Sequence, residues 1–156
     1  MLAKEIMTAQ VITIQEKETI REAIARMLAN GISGLPVVDE QGRLKGVLSE
    51  SDLILGGAEP QVPQKLLNAI VKLLTHEEVE LKSAHDTLTA QLAQVSQSPV
   101  SEFMTAPAYS VTLETPLEVV AELITTHDIN RVPVVDGQNR VVGIISRHDL
   151  LRGMYQ

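Results

Sequence analysis

The amino-acid sequence predicts an α+β fold in which two βαββα repeats flank a helical insert. The first observation is an internal repeat, because residues 5–54 match residues 102–151 without a gap. The second is the order of short β-prone runs and amphipathic helices in each copy. The third is size: units of about 50 residues bury too little surface to fold comfortably alone, so the copies must share a core.

The repeat is specific because it keeps whole runs of residues at a constant separation of 97 positions. The shared runs are Met7–Ala9 with Met104–Ala106, Pro36–Asp39 with Pro133–Asp136, and a Ser-x-x-Asp-Leu spacing that begins at Ser49 and at Ser146. Glycine also recurs, at Gly46 and Gly143. Each copy is therefore predicted to fold in the same way.

Each copy opens with a β-prone run, at 11–14 and at 108–111, and continues into a helix. The helical spacing places apolar residues on one face, namely Ile20, Ala23, Ile24, Met27 and Leu28 in the first copy and Leu117, Val120, Ala121 and Ile124 in the second. Thr19 with Glu22, and Thr115 with Glu118, have the spacing of a capping box.

Two further strands and a short helix complete each copy. The strands are joined by Glu40–Gly42 and by Gly137–Asn139, and these connections contain the Gly and Asn residues that a tight hairpin requires. The last helix is predicted to begin near Ser51 or His148.

The βαββα order, the Met-Thr start, the Pro-Val-Val-Asp strand and the Ser-x-x-Asp close resemble the cystathionine-β-synthase (CBS) domain. The resemblance covers about two thirds of the chain and implies a stand-alone tandem pair, or Bateman module, packed around a pseudo-twofold axis with two clefts. The domains are then repeat 1 at 1–57, the insert at 58–99 and repeat 2 at 100–156.

The insert is predicted to be helical from Pro63 to Val95. Apolar residues recur there at every seventh position, at Leu67, Leu74, Leu81, Leu88 and Val95. The second heptad position that would face a partner helix holds both apolar and polar residues, which disfavours a long coiled coil. A helix packed on its own module and a dimer-forming arm both remain open.

The resemblance also supplies candidate binding residues. In CBS pairs the Asp of the Ser-x-x-Asp stretch accepts hydrogen bonds from ribose hydroxyls, and the Ser contacts phosphate or ribose. A carboxylate suits a vicinal diol because it is a strong double acceptor. The matching residues are Ser49, Ser51 and Asp52 in the first copy and Ser146, Arg147, His148 and Asp149 in the second. The same spacing also suits a helix N-cap that needs no ligand.

The two copies differ in charge around this stretch. Glu50 adds negative charge to the first copy, whereas Arg147 and His148 make the second copy better suited to a phosphate. Arg131 matches a basic residue that some members of the family direct at phosphate, and a surface arginine without a ligand is the alternative. Its counterpart in the first copy is Gly34.

Adenine recognition in CBS domains uses backbone groups and small apolar residues near the first strand. The matching residues are Thr8, Val11, Ile12, Thr105, Ala108 and Tyr109. Core packing is the alternative for Val11 and Ile12.

Composition argues against other classes of protein. The net charge of −7 disfavours binding to nucleic acid or to an anionic membrane surface, and the absence of Cys excludes disulfides and thiolate metal sites. The chain shows no signal-peptide pattern and no apolar run of about 20 residues, so a cytoplasmic protein is expected. The four His residues match no zinc-hydrolase motif, so no metal site is expected. No phosphate-binding loop or nucleophile motif is present, so neither an enzyme nor a catalytic cofactor is expected.

The sequence therefore predicts a regulatory module that senses an adenosine-type nucleotide, such as AMP, ADP, ATP or S-adenosylmethionine. Such a module would act on an unknown effector protein and pair with itself as a homodimer, as members of this family often do. The alternative is a structural or dimerisation module with no bound nucleotide.

Overall fold

The computed structural model describes residues 1–55 and 96–156, and it has the predicted α+β architecture of two repeats. Repeat 1 contains α1 (Ala3–Ile6), β1 (Ile14–Gln15), α2 (Ile20–Asn30), β2 (Gly34–Val38), β3 (Leu44–Ser49) and α3 (Glu50–Leu55). Repeat 2 contains a 3₁₀ turn (Val100–Glu102), β4 (Val111–Thr112), α4 (Leu117–Thr126), β5 (Arg131–Val135), β6 (Val141–Ser146) and α5 (Arg147–Met154). The helix predicted over 63–95 lies outside the described residues.

Each repeat forms a three-stranded sheet with the same topology. The first strand pairs in parallel with the second, and the second pairs antiparallel with the third. Ile14 lies opposite Val37 in one sheet, and Val111 lies opposite Val134 in the other. The registers correspond residue for residue, so the sequence repeat is also a structural repeat.

The predicted helix start is correct for α2 and wrong for α4. The Glu22 N–H donates to the Thr19 hydroxyl at 3.2 Å, and the Thr19 N–H donates to the Glu22 carboxylate at 2.9 Å. In repeat 2 the N-cap is Pro116, the counterpart of Thr19. The Thr115 hydroxyl instead accepts a hydrogen bond from the Thr112 N–H at 3.0 Å, which closes the turn before the helix.

The two hairpins are closed by aspartates in identical arrangements. Asp39 Oδ1 accepts hydrogen bonds from the N–H groups of residues 41 and 43, each at 2.9 Å, and the Arg43 Nε donates to Asp39 Oδ2 at 2.8 Å. Asp136 binds residues 138 and 140 in the same way. Gly42 (φ 80°) and Asn139 (φ 61°) take the positive φ that the turns require, as predicted.

These contacts set the pKa of both hairpin carboxyls. Burial acts to raise the pKa of Asp39, but the backbone and side chain of Arg43 and the backbone of Gln41 outweigh it and hold that pKa below its ordinary value. The backbone N–H of Arg140 is the main cause of the lowered pKa of Asp136. Both carboxyls are thus stabilised in their charged form.

The N-terminal segment of each repeat packs on the other repeat. We call these segments arm 1 (residues 1–12) and arm 2 (residues 98–109). In arm 1, the Ala3 N–H donates to the Thr115 carbonyl at 2.8 Å, and in arm 2 the Val100 N–H donates to the Glu18 carbonyl at 2.8 Å. Ala3 is buried in the core of repeat 2, and Val100 is buried in the core of repeat 1. The two repeats therefore share their cores through exchanged arms.

The repeated glycines lie beneath these arms. A Cβ on Gly46 would stand 2.8 Å from both the Met104 sulfur and the Thr105 carbonyl oxygen. A Cβ on Gly143 would overlap the Met7 side chain. Each glycine recurs because it leaves room for the arm of the other repeat.

Candidate functional site

Within the part of the chain that the structure describes, two clefts between the repeats are each lined by both repeats and by one arm. Cleft 1 is lined by Val47, Ser49, Ser51, Asp52, Thr105, Pro107, Ala108, Tyr109, Asp128, Ile129, Asn130 and Arg131. Cleft 2 is lined by Thr8, Gln10, Val11, Ile12, Gly31, Ile32, Ser33, Gly34, Arg131, Ile144, Ser146 and Asp149. With the open space at their mouths they measure about 660 and 780 Å³.

The structure brings most of the predicted site residues to these clefts. Ser49, Ser51, Asp52, Thr105, Ala108, Tyr109 and Arg131 line cleft 1, while Thr8, Val11, Ile12, Ser146, Asp149 and again Arg131 line cleft 2. Ile12 also packs against the core of repeat 1, so the core-packing interpretation of this residue holds beside its place in the cleft. Arg147 and His148 line neither cleft.

Asp52 is a half-buried carboxylate held by neutral donors. The Ser49 N–H and hydroxyl donate to Asp52 Oδ2 at 2.9 and 3.1 Å, which is the carboxylate half of the predicted cap. The Thr105 hydroxyl, from arm 2, donates to Asp52 Oδ1 at 2.6 Å. The Ser49 and Ser51 hydroxyls are 2.8 Å apart. This arrangement presents a charged acceptor beside three hydroxyl groups.

Asp149 has the same cap but a different remaining partner. The Ser146 N–H and hydroxyl donate to Asp149 Oδ2, each at 3.0 Å. Asp149 Oδ1 instead accepts a hydrogen bond from the Arg152 guanidinium at 2.7 Å. Asp149 is 7% exposed, so this cation offsets a buried negative charge. Sequence reasoning missed Arg152, although its position three residues after Asp149 on α5 was visible.

Arg131 reaches across the boundary between the repeats. One guanidinium nitrogen donates to the Ser33 hydroxyl at 2.7 Å, and a Cβ on Gly34 would overlap the guanidinium. The register of β5 and β6 places Arg131 opposite Ser146. Burial lowers the pKa of Arg131, and the charges of Glu50 and Asp52 oppose that effect. The guanidinium is therefore partly desolvated, and its charge interacts with acids of the other repeat.

The side chains of Arg147 and His148, which were predicted to bind the ligand, lie outside the linings of the two clefts. The Arg147 Nε donates to the Ile129 carbonyl at 3.0 Å, and another guanidinium nitrogen donates to Asp128 Oδ1 at 2.9 Å. His148 is exposed on α5. Arg147 thus holds a loop that forms one wall of cleft 1, and the contact of these two side chains with a ligand stays a prediction.

Cleft 1 also has an aromatic edge. The rings of Tyr109 and His127 are stacked, with centroids 3.9 Å apart and an angle of 20° between their planes. Ile12 occupies the position of Tyr109 in cleft 2. The sequence analysis did not include His127 or the loops at 31–33 and 128–130, whose place directly before the central strand of each repeat could have indicated them.

The described ranges contain neither clustered metal ligands nor a helix that could span a membrane. Within 1–55 and 96–156, no group of three or more His, Asp or Glu residues stands close enough together to hold a metal ion. No helix in those ranges has the length and apolar character needed to cross a membrane.

The comparison with known protein families agrees with the two-repeat structure. The model of the CBS domain matches residues 3–57 and 100–155. The chain belongs to the CBS domain family. Its sequence is 33% identical over 147 residues to the CBS domain-containing protein YhcV of Bacillus subtilis, covering 94% of this chain and 81% of YhcV.

Solved CBS pairs have the same fold. The CBS pair of protein MJ0100, in complex with 5′-methylthioadenosine and S-adenosyl-L-methionine, is 26% identical, with a TM-score of 0.68 over 99% of this chain and 96% of that one. CBSX2 in complex with AMP is 22% identical, with a TM-score of 0.70 over 99% and 96% of the two chains. At that lower identity the likeness to CBSX2 concerns the fold.

Proposed function

We propose that this CBS pair is a regulatory module that binds an adenosine-type ligand in the clefts between its repeats. The observation that supports it most is the placement of Asp52 and Asp149 at corresponding positions in two composite clefts. The MJ0100 pair, which was solved with two adenosine derivatives, adds weight to this choice of ligand. The proposed role is regulatory because the clefts contain acceptors and hydroxyl groups without a nucleophile and its base.

The chemistry of cleft 1 suits a ribose. Asp52 Oδ1 accepts one hydrogen bond, from Thr105, and a carboxylate oxygen has lone pairs for more than one. A vicinal diol would donate to Asp52 while adenine rests against the apolar wall at Ala108 and Tyr109. In cleft 2 the matching wall is Val11 and Ile12.

The signal would arise because each cleft is shared between the repeats. A ligand that contacts both repeats favours the arrangement that it fits best, and it shifts the population toward that arrangement. The shift would pass to an effector protein. We also expect two copies to pair, because apolar side chains are exposed on the adjacent helices α4 and α5, namely Val119, Leu151 and Met154.

A structural module without a ligand is the second candidate, and Asp149 favours it for cleft 2. Both oxygens of Asp149 already accept hydrogen bonds from Ser146 and Arg152. A carboxylate satisfied in this way needs no ribose to explain it.

Thermal denaturation separates the two candidates. An adenosine ligand at about 100 times its dissociation constant should stabilise the folded chain by about 2.7 kcal/mol, whereas cytidine 5′-monophosphate should have no effect. We expect Asp52→Asn and Asp149→Asn each to reduce the stabilisation. Glu114→Gln is the control, because Glu114 forms an exposed ion pair with Lys4 away from the clefts. If none of AMP, ADP, ATP, S-adenosylmethionine or 5′-methylthioadenosine raises the melting temperature, the structural candidate is favoured.

A further inference from the structure

The tips of the two hairpins meet at a surface that belongs to neither cleft. Among the described residues, four line the cavity at this surface, namely Gln41, Arg43, Gln138 and Arg140. None of them lines cleft 1 or cleft 2. We call it the hairpin surface. Its side chains are two guanidiniums and two amides, so hydrogen-bond donors predominate there.

The pairing of the hairpins places the two arginines side by side. Arg43 and Arg140 are partners in an antiparallel bridge between the repeats. The residue after each arginine donates its N–H to the carbonyl of the residue before the other arginine, at 2.9 and 3.0 Å. This pattern defines a non-hydrogen-bonded pair, in which opposite side chains come closest together on one face. Two like charges therefore stand directly opposite each other, which is unfavourable.

The aspartates beneath the arginines hold one edge of each guanidinium. Each arginine Nε donates to the aspartate of its own hairpin, Asp39 or Asp136, at 2.8 and 2.9 Å. Both arginine side chains are 54% exposed, whereas those of the aspartates are 10% and 22% exposed. Within the described residues, the terminal nitrogens make one further contact, from Arg43 to the Gln41 amide oxygen at 3.4 Å, which is long for a hydrogen bond. The terminal nitrogens of both arginines thus remain for a ligand.

From this arrangement we infer that the hairpin surface binds a small dianion that bridges Arg43 and Arg140. The two terminal nitrogens of a guanidinium match the oxygens of a carboxylate or a phosphate, and an anion between two guanidiniums offsets their repulsion. The ligand is a dicarboxylate or a diphosphate, with one charged group for each arginine. It links the two repeats at their hairpins. This inference does not rest on the proposed function, because the hairpin surface shares no residue with the clefts.

The test is isothermal titration of the full chain with inorganic pyrophosphate and, separately, with succinate, at constant ionic strength and without Mg²⁺. We expect at least one of these anions to bind, and the one that binds identifies the class of ligand. Arg43→Gln and Arg140→Gln should each weaken binding about tenfold or more, because each removes charge-assisted hydrogen bonds. Gln138→Ala keeps both hairpin ion pairs and should weaken binding severalfold.

Two control variants locate the site. Arg131→Gln removes a cation that lines both clefts, and Arg21→Gln removes an exposed cation on α2. Neither should change the affinity for the anion. Melting curves of Arg43→Gln, Arg140→Gln and the double variant give a second measurement, because a bridging anion should make the coupling between the two arginines more favourable.

Contrary outcomes are distinguishable. Absence of binding by both anions would show that each arginine only braces its own hairpin. Binding that is lost in Arg131→Gln would place the anion in the clefts, and an equal loss in every arginine variant would indicate unspecific attraction. Each of these results, or a coupling that the anion leaves unchanged, would overturn the inference while the proposed function stands.

Discussion

In the two hairpins, Asp39 and Asp136 accept hydrogen bonds from corresponding backbone positions and from corresponding arginines, Arg43 and Arg140. In the two clefts, Asp52 and Asp149 share a serine cap but differ in the remaining partner, which is a threonine hydroxyl in one and an arginine in the other. The two copies are thus alike where a side chain hydrogen-bonds to its own hairpin, and they differ where side chains face the space between the repeats.

The largest expected effect tests whether the two cores are equivalent. Leu48 and Ile145 are counterparts on β3 and β6, and both are fully buried. We expect Leu48→Ala and Ile145→Ala each to lower the free energy of unfolding by about 2–5 kcal/mol, measured by chemical denaturation, because each leaves a cavity. Leu28→Ala, at a side chain that is 45% exposed, is the control and should change little. A small loss at one core position alone would contradict the equivalence.

The next effect tests the packing of the arms. Gly46→Ala and Gly143→Ala should each lower the free energy of unfolding by roughly 1–3 kcal/mol, because the new Cβ collides with an arm. Met7→Ala should rescue Gly143→Ala, since the three nearest atoms there all belong to the Met7 side chain.

Rescue of the other glycine should be incomplete. Met104→Ala removes a side chain above Gly46, but the Thr105 carbonyl oxygen remains 2.8 Å from the added Cβ. Denaturation curves of the two double variants measure the difference. Equal rescue in both repeats would show that the arms do not pack as described.

A smaller effect on stability is expected when cleft 2 is made to resemble cleft 1. Arg152→Gln removes the cation beside Asp149, and we expect it to cost about 1 kcal/mol of stability because the arginine is largely exposed. Chemical denaturation measures the change, and unchanged stability would show that Arg152 does not offset the buried charge of Asp149.

The smallest effect concerns the hairpins and should be equal in both. The pKa of Asp39 and of Asp136 is lowered in the folded chain, so their contribution to stability is present above the unfolded pKa of about 3.9 and is lost as the pH falls through the lower folded value. Denaturation between about pH 5 and pH 2 should therefore show a flatter pH dependence in Asp39→Asn and Asp136→Asn, to the same degree. Different slopes for the two variants would contradict the equivalence of the hairpins.

Local structure could be predicted from the sequence because its causes are local. Gly42 and Asn139 indicated the hairpin turns, and Thr19 with Glu22 indicated the start of α2. The Ser-x-x-Asp spacing correctly indicated the capping box of α5, and in repeat 1 the Ser49 N–H donates to Asp52 as in the carboxylate half of such a box. The start of α4 was predicted wrongly because two threonines and a proline offered competing signals. The repeat would have identified Pro116, because Pro116 is the counterpart of Thr19, the N-cap of α2.

The parts that were not predicted depend on how the two repeats meet. The spacing of a repeat does not say whether Ala3 packs on its own copy or on the other one. Nor does it say that Arg131 reaches Ser33 of repeat 1, or that Arg147 turns toward Asp128. These contacts join residues about 20 to 100 positions apart in sequence, so no local pattern indicates them.

The exchange of arms has a consequence for a single repeat taken by itself. Each repeat carries an arm that fits the other repeat, and it carries a glycine that makes room for the arm of the other repeat. One repeat taken alone therefore lacks a part of its core that the arm of the other repeat supplies, Val100 in repeat 1 and Ala3 in repeat 2. The unit that is repeated in the sequence is half of a symmetric assembly, and the smallest unit that completes a core contains two repeats.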